Sequence, residues 1–310
     1  MDPSYNPRQP SLSWKIHELL KCDENALEFF GNVRAKKIFT GIDFLDRLGL
    51  ENEDSGDSGP TNDFHGGSGG LLSGQFISIS GDHGSGKSEL LVHAAVKSAL
   101  SDDFGGQRQS VVYFSLDSKF DIERISSVAK YKIIRSNSSL ARQARSSPAL
   151  LQSHIRDTLS RIHIVPCYNP HSLFMALMRL SMDRLLLEDV SLVIMDSFGS
   201  YFYSNKLFET GNASAIVNGI VEALKSLLHR GSLLVLAGQQ NIFQSSNASD
   251  YMARILKHFN TIKVSLKSRR SRKGEATFHN SAFIQPHGTK GSFSVNGHGT
   301  EFPQCLETSR

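Results

Sequence analysis

The chain has 310 residues, of which 39% are hydrophobic and 21% are charged, and its formal net charge is +4. This length and composition can bury a full α/β core, either as one large domain or as two small ones. The small net charge excludes a protein that binds nucleic acid through overall charge alone, so any contact with phosphate must come from a local cluster of cations.

Neither a membrane span nor a signal peptide is expected. No run of about 18 apolar residues is present, and the first ten residues are polar and proline-rich. The cysteines, Cys22, Cys167 and Cys305, are too widely spaced for a disulfide framework or a zinc site. These features predict a soluble intracellular protein with reduced thiols.

The N-terminal part of the chain predicts a short helical lead-in and, further along, an unstructured insert. Apolar residues between Leu12 and Phe30 have helical spacing. Residues 51–70 consist mainly of Glu, Asp, Ser and Gly, which cannot bury enough surface to order the segment. The predicted organisation is a lead-in and linker over 1–38, a core over 39–302 that carries a disordered surface loop at 51–70, and a tail over 303–310.

The rest of the chain alternates between apolar runs of strand length and helical patterns, which predicts a mostly parallel sheet covered by helices on both faces. Helices are predicted at Ser88 to Leu100, His171 to Leu187 and Ala213 to Leu228. After Phe259, short strands with turn residues between them predict an antiparallel C-terminal edge. The predicted strands are Phe76 to Ser80, Val111 to Leu116, Ile162 to Val165, Leu192 to Met195, Leu233 to Ala237, Thr261 to Leu266, Thr277 to Ile284 and Phe293 to Val295.

A glycine-rich motif between the first of these strands and the Ser88 helix has the pattern of a P-loop. Its three glycines let backbone N–H groups approach phosphate oxygens, and the following helix adds the dipole of its N-terminus. Lys87 would neutralise the β and γ phosphates, and the Ser88 hydroxyl would ligate Mg²⁺. We therefore expect ATP and Mg²⁺ at this motif. Its residues are Gly81, Asp82, His83, Gly84, Ser85, Gly86, Lys87 and Ser88.

Two acidic residues that follow predicted strands are candidates for the same site. Asp196 ends the strand that begins at Leu192, where a second group beside Mg²⁺ is expected. An acid in this position is more often a plain strand end, and the upstream glycine motif favours the metal. Asp117 follows the strand that begins at Val111 and is the candidate to orient an attacking water. Its side chain is one methylene shorter than Glu, so turnover would be slow. The alternative, that Asp117 caps a loop, stays open.

Three further segments resemble the RecA-type recombinase family, whose core is a P-loop ATPase domain. Residues 40–46, TGIDFLD, are similar to the T-G-x-x-x-L-D motif that opens this core. Residues 113–125, YFSLDSKFDIERI, resemble the strand that ends in the catalytic acid and runs into x-F-x-x-E-R-L. Residues 234–239, LVLAGQ, match the strand that ends in a γ-phosphate-sensing Gln, here Gln239. The resemblance covers residues 39 to 302.

Within this family the chain most resembles the eukaryotic recombinase paralogues. The family's N-terminal helix-hairpin-helix domain is absent, and Asp117 stands where the family has a catalytic Glu. No F-x-x-A self-polymerisation motif lies between Asn25 and Phe39, and residues 299–302, GTEF, resemble a paralogue's tail. The resemblance implies an ATP-binding nuclear protein in homologous-recombination repair of double-strand breaks and stalled forks. It would act as a subunit of a hetero-oligomer with other paralogues, on single-stranded or branched DNA.

Two segments are candidates for DNA contact. The polar loop from Gln240 to Tyr251 falls where RecA-type proteins place a DNA-contacting loop, and its aromatic residues, Phe243 and Tyr251, could stack on bases. A predicted hairpin tip at 267–274 could lay its charge along a phosphate backbone, although a solvated turn or a nuclear-import signal is an open alternative. Its cations are Lys267, Arg269, Arg270, Arg272 and Lys273.

Two other functions stay open at this point. A catalytically active DNA-dependent ATPase that forms its own filament would show DNA-stimulated turnover and self-association. A P-loop protein of another class, such as a kinase or a clock-type RecA homologue, would not bind DNA, and the match from Phe120 to Ile125 argues against it. Asp117 and the missing polymerisation motif favour the accessory subunit, with at most a weak DNA-dependent ATPase activity.

Overall fold

The computed structural model describes residues 36–48, 69–117, 120–183, 189–199, 211–230, 232–240, 256–259, 261–269, 278–285 and 288–302. All of them belong to one compact unit, Lys36–Arg310. The predicted lead-in helix, the acidic insert as far as residue 68 and the tail lie outside the described residues.

Most strands of the described residues join one large sheet. The strands are β1 (Lys37–Ile38), β2 (Leu71–Leu72), β3 (Phe76–Gly81), β4 (Ser110–Ser115), β5 (Ile162–Pro166), β6 (Val190–Asp196), β7 (Leu234–Gln240), β8 (Thr261–Arg269), β9 (Phe278–Gln285), β10 (Lys290–Asn296) and β11 (Gly299–Glu301). β1 and β2 pair with each other, and the others follow the order β11-β10-β9-β8-β3-β7-β6-β4-β5. The strands from β5 to β8 in that order run parallel, whereas β9, β10 and β11 extend the sheet in antiparallel fashion. The mostly parallel sheet and its antiparallel C-terminal edge are thus confirmed.

Several helices begin at residues that cap their free backbone N–H groups. The Asp121 side chain accepts hydrogen bonds from the first turn of α3, and Asn169 forms a capping box at the start of α6. The helices are α1 (Asp43–Asp46), α2 (Lys87–Ala99), α3 (Ile122–Arg135), α4 (Ser139–Ser146), α5 (Pro148–Ser160), α6 (Pro170–Met182) and α7 (Gly211–Arg230). The helix predicted to begin at His171 was expected to end at Leu187. That end is wrong, because α6 ends at Met182 and Asp183 has extended backbone angles. Within the described ranges, no helix has the length and apolar character needed to cross a membrane.

The strand side chains separate the core into two layers, because successive residues of a strand point to opposite faces. Ile77 and Leu192 belong to the layer that contains buried residues of α2 and α3. Their neighbours Phe76 and Val193 belong to the layer that contains residues of α6 and α7. Helices therefore cover both faces of the sheet, as its continuously apolar strands predict.

The parallel strands also determine where polar residues meet. The carboxyl ends of β3, β4, β6 and β7 lie at the same edge of the sheet, and ligands of open α/β sheets bind beyond that edge. The glycine motif follows β3, and Asp117 follows β4. Asp196 is the last residue of β6, and Gln239 is the residue before the last one of β7.

Candidate phosphate-binding site

The glycine-rich loop, residues 81–88, has a backbone that only glycine adopts without strain. Gly84 and Gly86 have φ values of +75° and +84°, in the left-handed region. A Cβ on Gly86 would lie 2.8 Å from Phe293 Cε2, and a Cβ on Gly81 would lie 2.5 Å from the Ser85 hydroxyl oxygen. Backbone conformation therefore favours glycine at positions 84 and 86, and close packing favours it at positions 81 and 86.

The ammonium group of Lys87 is folded back over this loop. It donates hydrogen bonds to the carbonyl oxygens of Gly81 and Asp82, at 2.8 Å and 2.7 Å, and lies 3.3 Å from Ser85 Oγ. Burial lowers the pKa of Lys87, and the charges of Asp196 and Asp82 oppose that shift. A phosphate placed against the loop would compete with these carbonyl oxygens for the ammonium group.

The structure brings Asp196 into contact with Ser88, the two residues predicted to lie beside Mg²⁺. The Asp196 carboxylate accepts a hydrogen bond of 2.8 Å from Tyr113 Oη, and the Ser88 hydroxyl lies close to it. Burial raises the pKa of Asp196, although the Ser88 and Tyr113 hydroxyls and the charge of Lys87 act in the opposite direction. Burial also raises the pKa of Tyr113 well above its ordinary value, so this hydroxyl stays protonated and donates.

A cavity of about 460 Å³ lies beside the loop. Residues 83–88 line it, together with Asp117 and Asp196. Gly81 and Asp82 are not part of its lining, and they contribute the carbonyl oxygens that hold Lys87. The predicted phosphate loop and both predicted acids therefore meet at one concave surface.

Gln239 is another predicted site residue that does not line this cavity. It lies in β7 opposite Ser80 of β3 and is 7% exposed. Its Nε2 has no hydrogen-bond partner among the described residues. The side chain is buried beside the site and does not line it.

Several residues of the cavity lining were not expected from the sequence as site residues, among them Tyr113, Arg124 and Asn280. Arg124 forms hydrogen bonds with both carboxylate oxygens of Glu89, at 2.8 Å to 3.2 Å, and with two backbone carbonyl oxygens. Asn280 is 3% exposed, and neither its amide oxygen nor its nitrogen has a partner within the described ranges. The sequence could have indicated Arg124, because it belongs to the E-R pair of the motif at residues 113–125. Asn280 has no such motif: it lies in β9, which reaches the cavity because β9 pairs with β8 and β8 pairs with β3.

The oxygen donors at this site fit Mg²⁺ bound together with a phosphate. In the described part of the chain, no three His, Cys, Asp or Glu side chains cluster to hold a metal by themselves. Mg²⁺ usually takes one or two protein oxygen ligands and completes its shell with phosphate oxygens and water. The Ser88 hydroxyl and the Asp196 carboxylate supply such a pair.

The candidate DNA-contacting segments are described only in part. β8 continues to Arg269, beyond its predicted end at Leu266, so Lys267 and Arg269 lie in a strand paired with β9 and not at a hairpin tip. Arg270, Arg272 and Lys273 lie outside the described residues, as does the loop that follows Gln240.

Comparison with known proteins gave two informative likenesses, while no family model matches the chain. The chain is 24% identical over 209 residues to the DNA repair protein XRCC2 homolog of Arabidopsis thaliana, an alignment that covers 56% of this chain and 56% of that protein. It is 22% identical over 180 residues to the DNA repair protein XRCC2 of Mus musculus, covering 57% and 59%. The chain thus spans little more than half the length of the curated relatives it matches.

Proposed function

We propose that this chain is a recombinase paralogue with a RecA-like P-loop core. The proposal rests on its likeness to XRCC2-like DNA repair proteins, which confirms the paralogue resemblance predicted from the sequence. The chain acts in homologous-recombination repair of DNA double-strand breaks and stalled forks. The observation that carries the proposal is the meeting of Ser88 and Asp196 in the lining of one cavity beside the glycine-rich loop. Two motifs far apart in the sequence meet there, which supports a site for a nucleotide with Mg²⁺.

In this proposal the cavity beside the glycine-rich loop takes ATP with Mg²⁺. Lys87 leaves its carbonyl acceptors and contacts the β and γ phosphates, while the N-terminus of α2 favours their negative charge. Ser88 and Asp196 would hold the Mg²⁺, which when bound would neutralise charge on the phosphate oxygens. The cavity volume of about 460 Å³ is in the range of small-molecule sites.

Turnover of the bound nucleotide is proposed to be slow. Asp117 lines the cavity and is the candidate to orient a water, but its side chain is shorter than the Glu of the family. A displacement of about 1 Å in a reacting group costs on the order of a hundredfold in rate. Gln239, the proposed sensor of the γ-phosphate, is buried behind the lining. Nucleotide occupancy would then regulate assembly more than it drives a reaction.

We further propose that the protein acts in the nucleus as a subunit of a hetero-oligomer with other recombinase paralogues. The support is the missing F-x-x-A motif, together with the similarity to XRCC2 proteins. Contact with single-stranded or branched DNA is assigned to the cations around the β8–β9 connection, Lys267, Arg269, Arg270, Arg272 and Lys273. Binding through such cations would weaken steeply with added salt.

ATP binding and turnover by the purified chain, with and without single-stranded DNA, test the proposal. We expect ATP binding that depends on Mg²⁺, negligible turnover and a monomer in size-exclusion chromatography. Lys87→Ala should abolish the binding, whereas Lys130→Ala, which removes an exposed cation of α3, should leave it unchanged. DNA-stimulated turnover by a self-associated chain would replace the accessory-subunit proposal with that of an active recombinase.

A further inference from the structure

A second cavity, of about 490 Å³, lies between α2, α3 and the β10–β11 hairpin, and no described residue lines both cavities. We propose that this second cavity, called the lysine pocket after Lys97 and Lys132, binds a small phosphate-bearing anion. Lys97 extends from α2 and Lys132 from α3, and Thr300 of β11 completes the polar lining. The proposal is independent of what binds at the glycine-rich loop.

The carboxylate in the lining of this pocket is already engaged at its rim. Glu301 Oε1 accepts hydrogen bonds from Arg135 Nη1 and Tyr131 Oη, both at 2.6 Å. The Arg135 side chain is 63% exposed, so this ion pair faces solvent. Glu301 is therefore matched with Arg135 and leaves the charges of the two lysines unbalanced.

Lys132 has no acceptor for its protons within the described ranges. Its Nζ lies 3.4 Å from His93 Nε2, but that nitrogen lies 2.8 Å from the carbonyl oxygen of Gly41 and must carry a proton to donate there. Burial and the charges of Lys132 and Lys97 lower the pKa of His93 to about 3, so the ring is neutral with its Nε2–H directed at Gly41. The ammonium group of Lys132 thus faces a donor and not an acceptor.

Lys97 is in a similar position on α2. Burial lowers the pKa of Lys97, and the charge of Asp46 opposes this shift without offsetting it. The Asp46 carboxylate is occupied by hydrogen bonds from Thr40 N, Thr40 Oγ1 and Gly41 N, at 2.8 Å to 2.9 Å. Two half-buried ammonium groups therefore lie near one another, and neither forms an ion pair with a described residue.

Buried charges in proteins are normally paired, because removing an ion from water without a counter-charge is costly. An anion in the lysine pocket would supply that counter-charge. Thr300 adds a second, independent indication: it is 7% exposed, and its hydroxyl has no hydrogen-bond partner among the described residues. Ammonium and hydroxyl donors together are the groups that bind phosphate oxygens.

The charge and shape of the pocket favour a phosphate over a carboxylate ligand. Below pH 7, where Lys132 is protonated, its lining holds three positive charges, on Lys97, Lys132 and Arg135, against the negative charge of Glu301. A phosphate ester carries about −1.5 to −2. The volume of about 490 Å³ exceeds what a bare phosphate fills. Leu100, Phe104 and Phe302 form an apolar wall for the rest of a phosphate monoester.

The test measures binding of inorganic phosphate to the full-length chain by calorimetry. It is carried out in a Lys87→Ala background, so that the glycine-rich loop does not contribute. We expect Lys132→Met to weaken binding by at least about tenfold, which is the effect of losing one charge-assisted hydrogen bond. The matched control is Lys130→Met, which removes an exposed cation from the same helix and should leave the affinity unchanged.

A purely structural role for Lys132 makes a different prediction. It would lower the melting temperature of Lys132→Met in phosphate-free buffer, whereas the anion site predicts an equal or higher melting temperature and the loss of stabilisation by phosphate. If Lys132→Met does not fold, Lys97→Met provides the same comparison.

A nucleoside monophosphate that binds more tightly than phosphate identifies a monoester ligand, and equal binding identifies free phosphate. Equal phosphate affinities of the Lys132→Met and Lys130→Met chains would overturn the proposal.

Discussion

Tyr113 and Asp196 are joined by a hydrogen bond of 2.8 Å between the neighbouring strands β4 and β6, and both side chains are buried. The bond holds one carboxylate oxygen of the acid that also contacts Ser88. Since the pKa of Tyr113 is far above neutrality, the hydroxyl is a permanent donor. The orientation of Asp196 is thus determined by the sheet and not only by a ligand.

Tyr113→Phe should destabilise the protein by about 1–3 kcal/mol, because the buried Asp196 carboxylate loses a donor while the ring still packs against Phe120. Urea unfolding measures the change. Tyr168→Phe is the matched control, since Tyr168 is 72% exposed and its hydroxyl has no comparable role. Equal unfolding free energies for the two variants would show that the bond contributes nothing.

Gly86→Ala should destabilise the protein more than Gly84→Ala. Both positions have left-handed backbone, which costs an alanine about 1–2 kcal/mol. Only the Cβ at position 86 also meets the Phe293 ring, whereas the Cβ at position 84 meets nothing within 4 Å. Overpacking adds about 1–3 kcal/mol to the first variant. Chemical denaturation of both chains gives the difference, and equal losses would exclude the steric contribution.

Asp117→Glu should raise ATP turnover by about tenfold or more without changing ATP affinity, because the longer side chain brings the carboxylate closer to an attacking water. Steady-state hydrolysis and equilibrium binding are compared in parallel. Asp121→Glu, at another acid of the cavity lining, should leave turnover unchanged. Unaltered turnover in Asp117→Glu would favour the loop-capping role that the sequence left open.

The free energy of unfolding should rise with pH above neutrality, in part because of Lys132. Burial, followed by the charge of Lys97, lowers the pKa of Lys132 from 10.5 to about 7. Between these values the unfolded chain binds more protons than the folded chain, so stability increases with pH, by at most about 1.4 kcal/mol per pH unit for one group. Below pH 7 both states are protonated and the contribution is constant.

Lys132→Met should reduce the rise in unfolding free energy between pH 7 and pH 10.5, and Lys130→Met should retain it. Urea unfolding at several pH values in this range measures the rise. Lys97, whose pKa is also lowered, accounts for a remaining slope in the Lys132→Met chain. Identical slopes in the wild type and Lys132→Met would mean that Lys132 is not titrating in that range.

The sequence was most informative where local pattern determines structure. Continuous apolar runs located the ends of the central strands to within three residues, since such runs bury both faces of a parallel strand. β10 was predicted too short, at Phe293 to Val295, because Lys290, Gly291 and Ser292 carry no strand pattern and are extended only through pairing with β9. The individual helices α3, α4 and α5 were not predicted. α4 has only eight residues, and its buried residues are the two alanines Ala141 and Ala144, so few large apolar side chains mark its buried face.

The candidate phosphate site could be predicted at its loop and at the strand ends, where chemistry and position are both local. Asn280 and Tyr113 could not, because their place in the cavity depends on the order of strands in the sheet. The lysine pocket was missed for the same reason: Lys97 and Lys132 are unremarkable surface residues of two amphipathic helices until α2 and α3 pack together.

The position of β3 in the sheet has a consequence for biosynthesis. β3 ends at Gly81, but its two neighbours are β7, which begins at Leu234, and β8, which ends at Arg269. A ribosome must therefore synthesise most of the chain before this strand acquires either partner. Until then the nascent polypeptide presents an apolar strand with two open edges, which favours slow folding and exposure to aggregation. We expect production of this protein to depend on chaperones that shield the β3–α2 segment during translation.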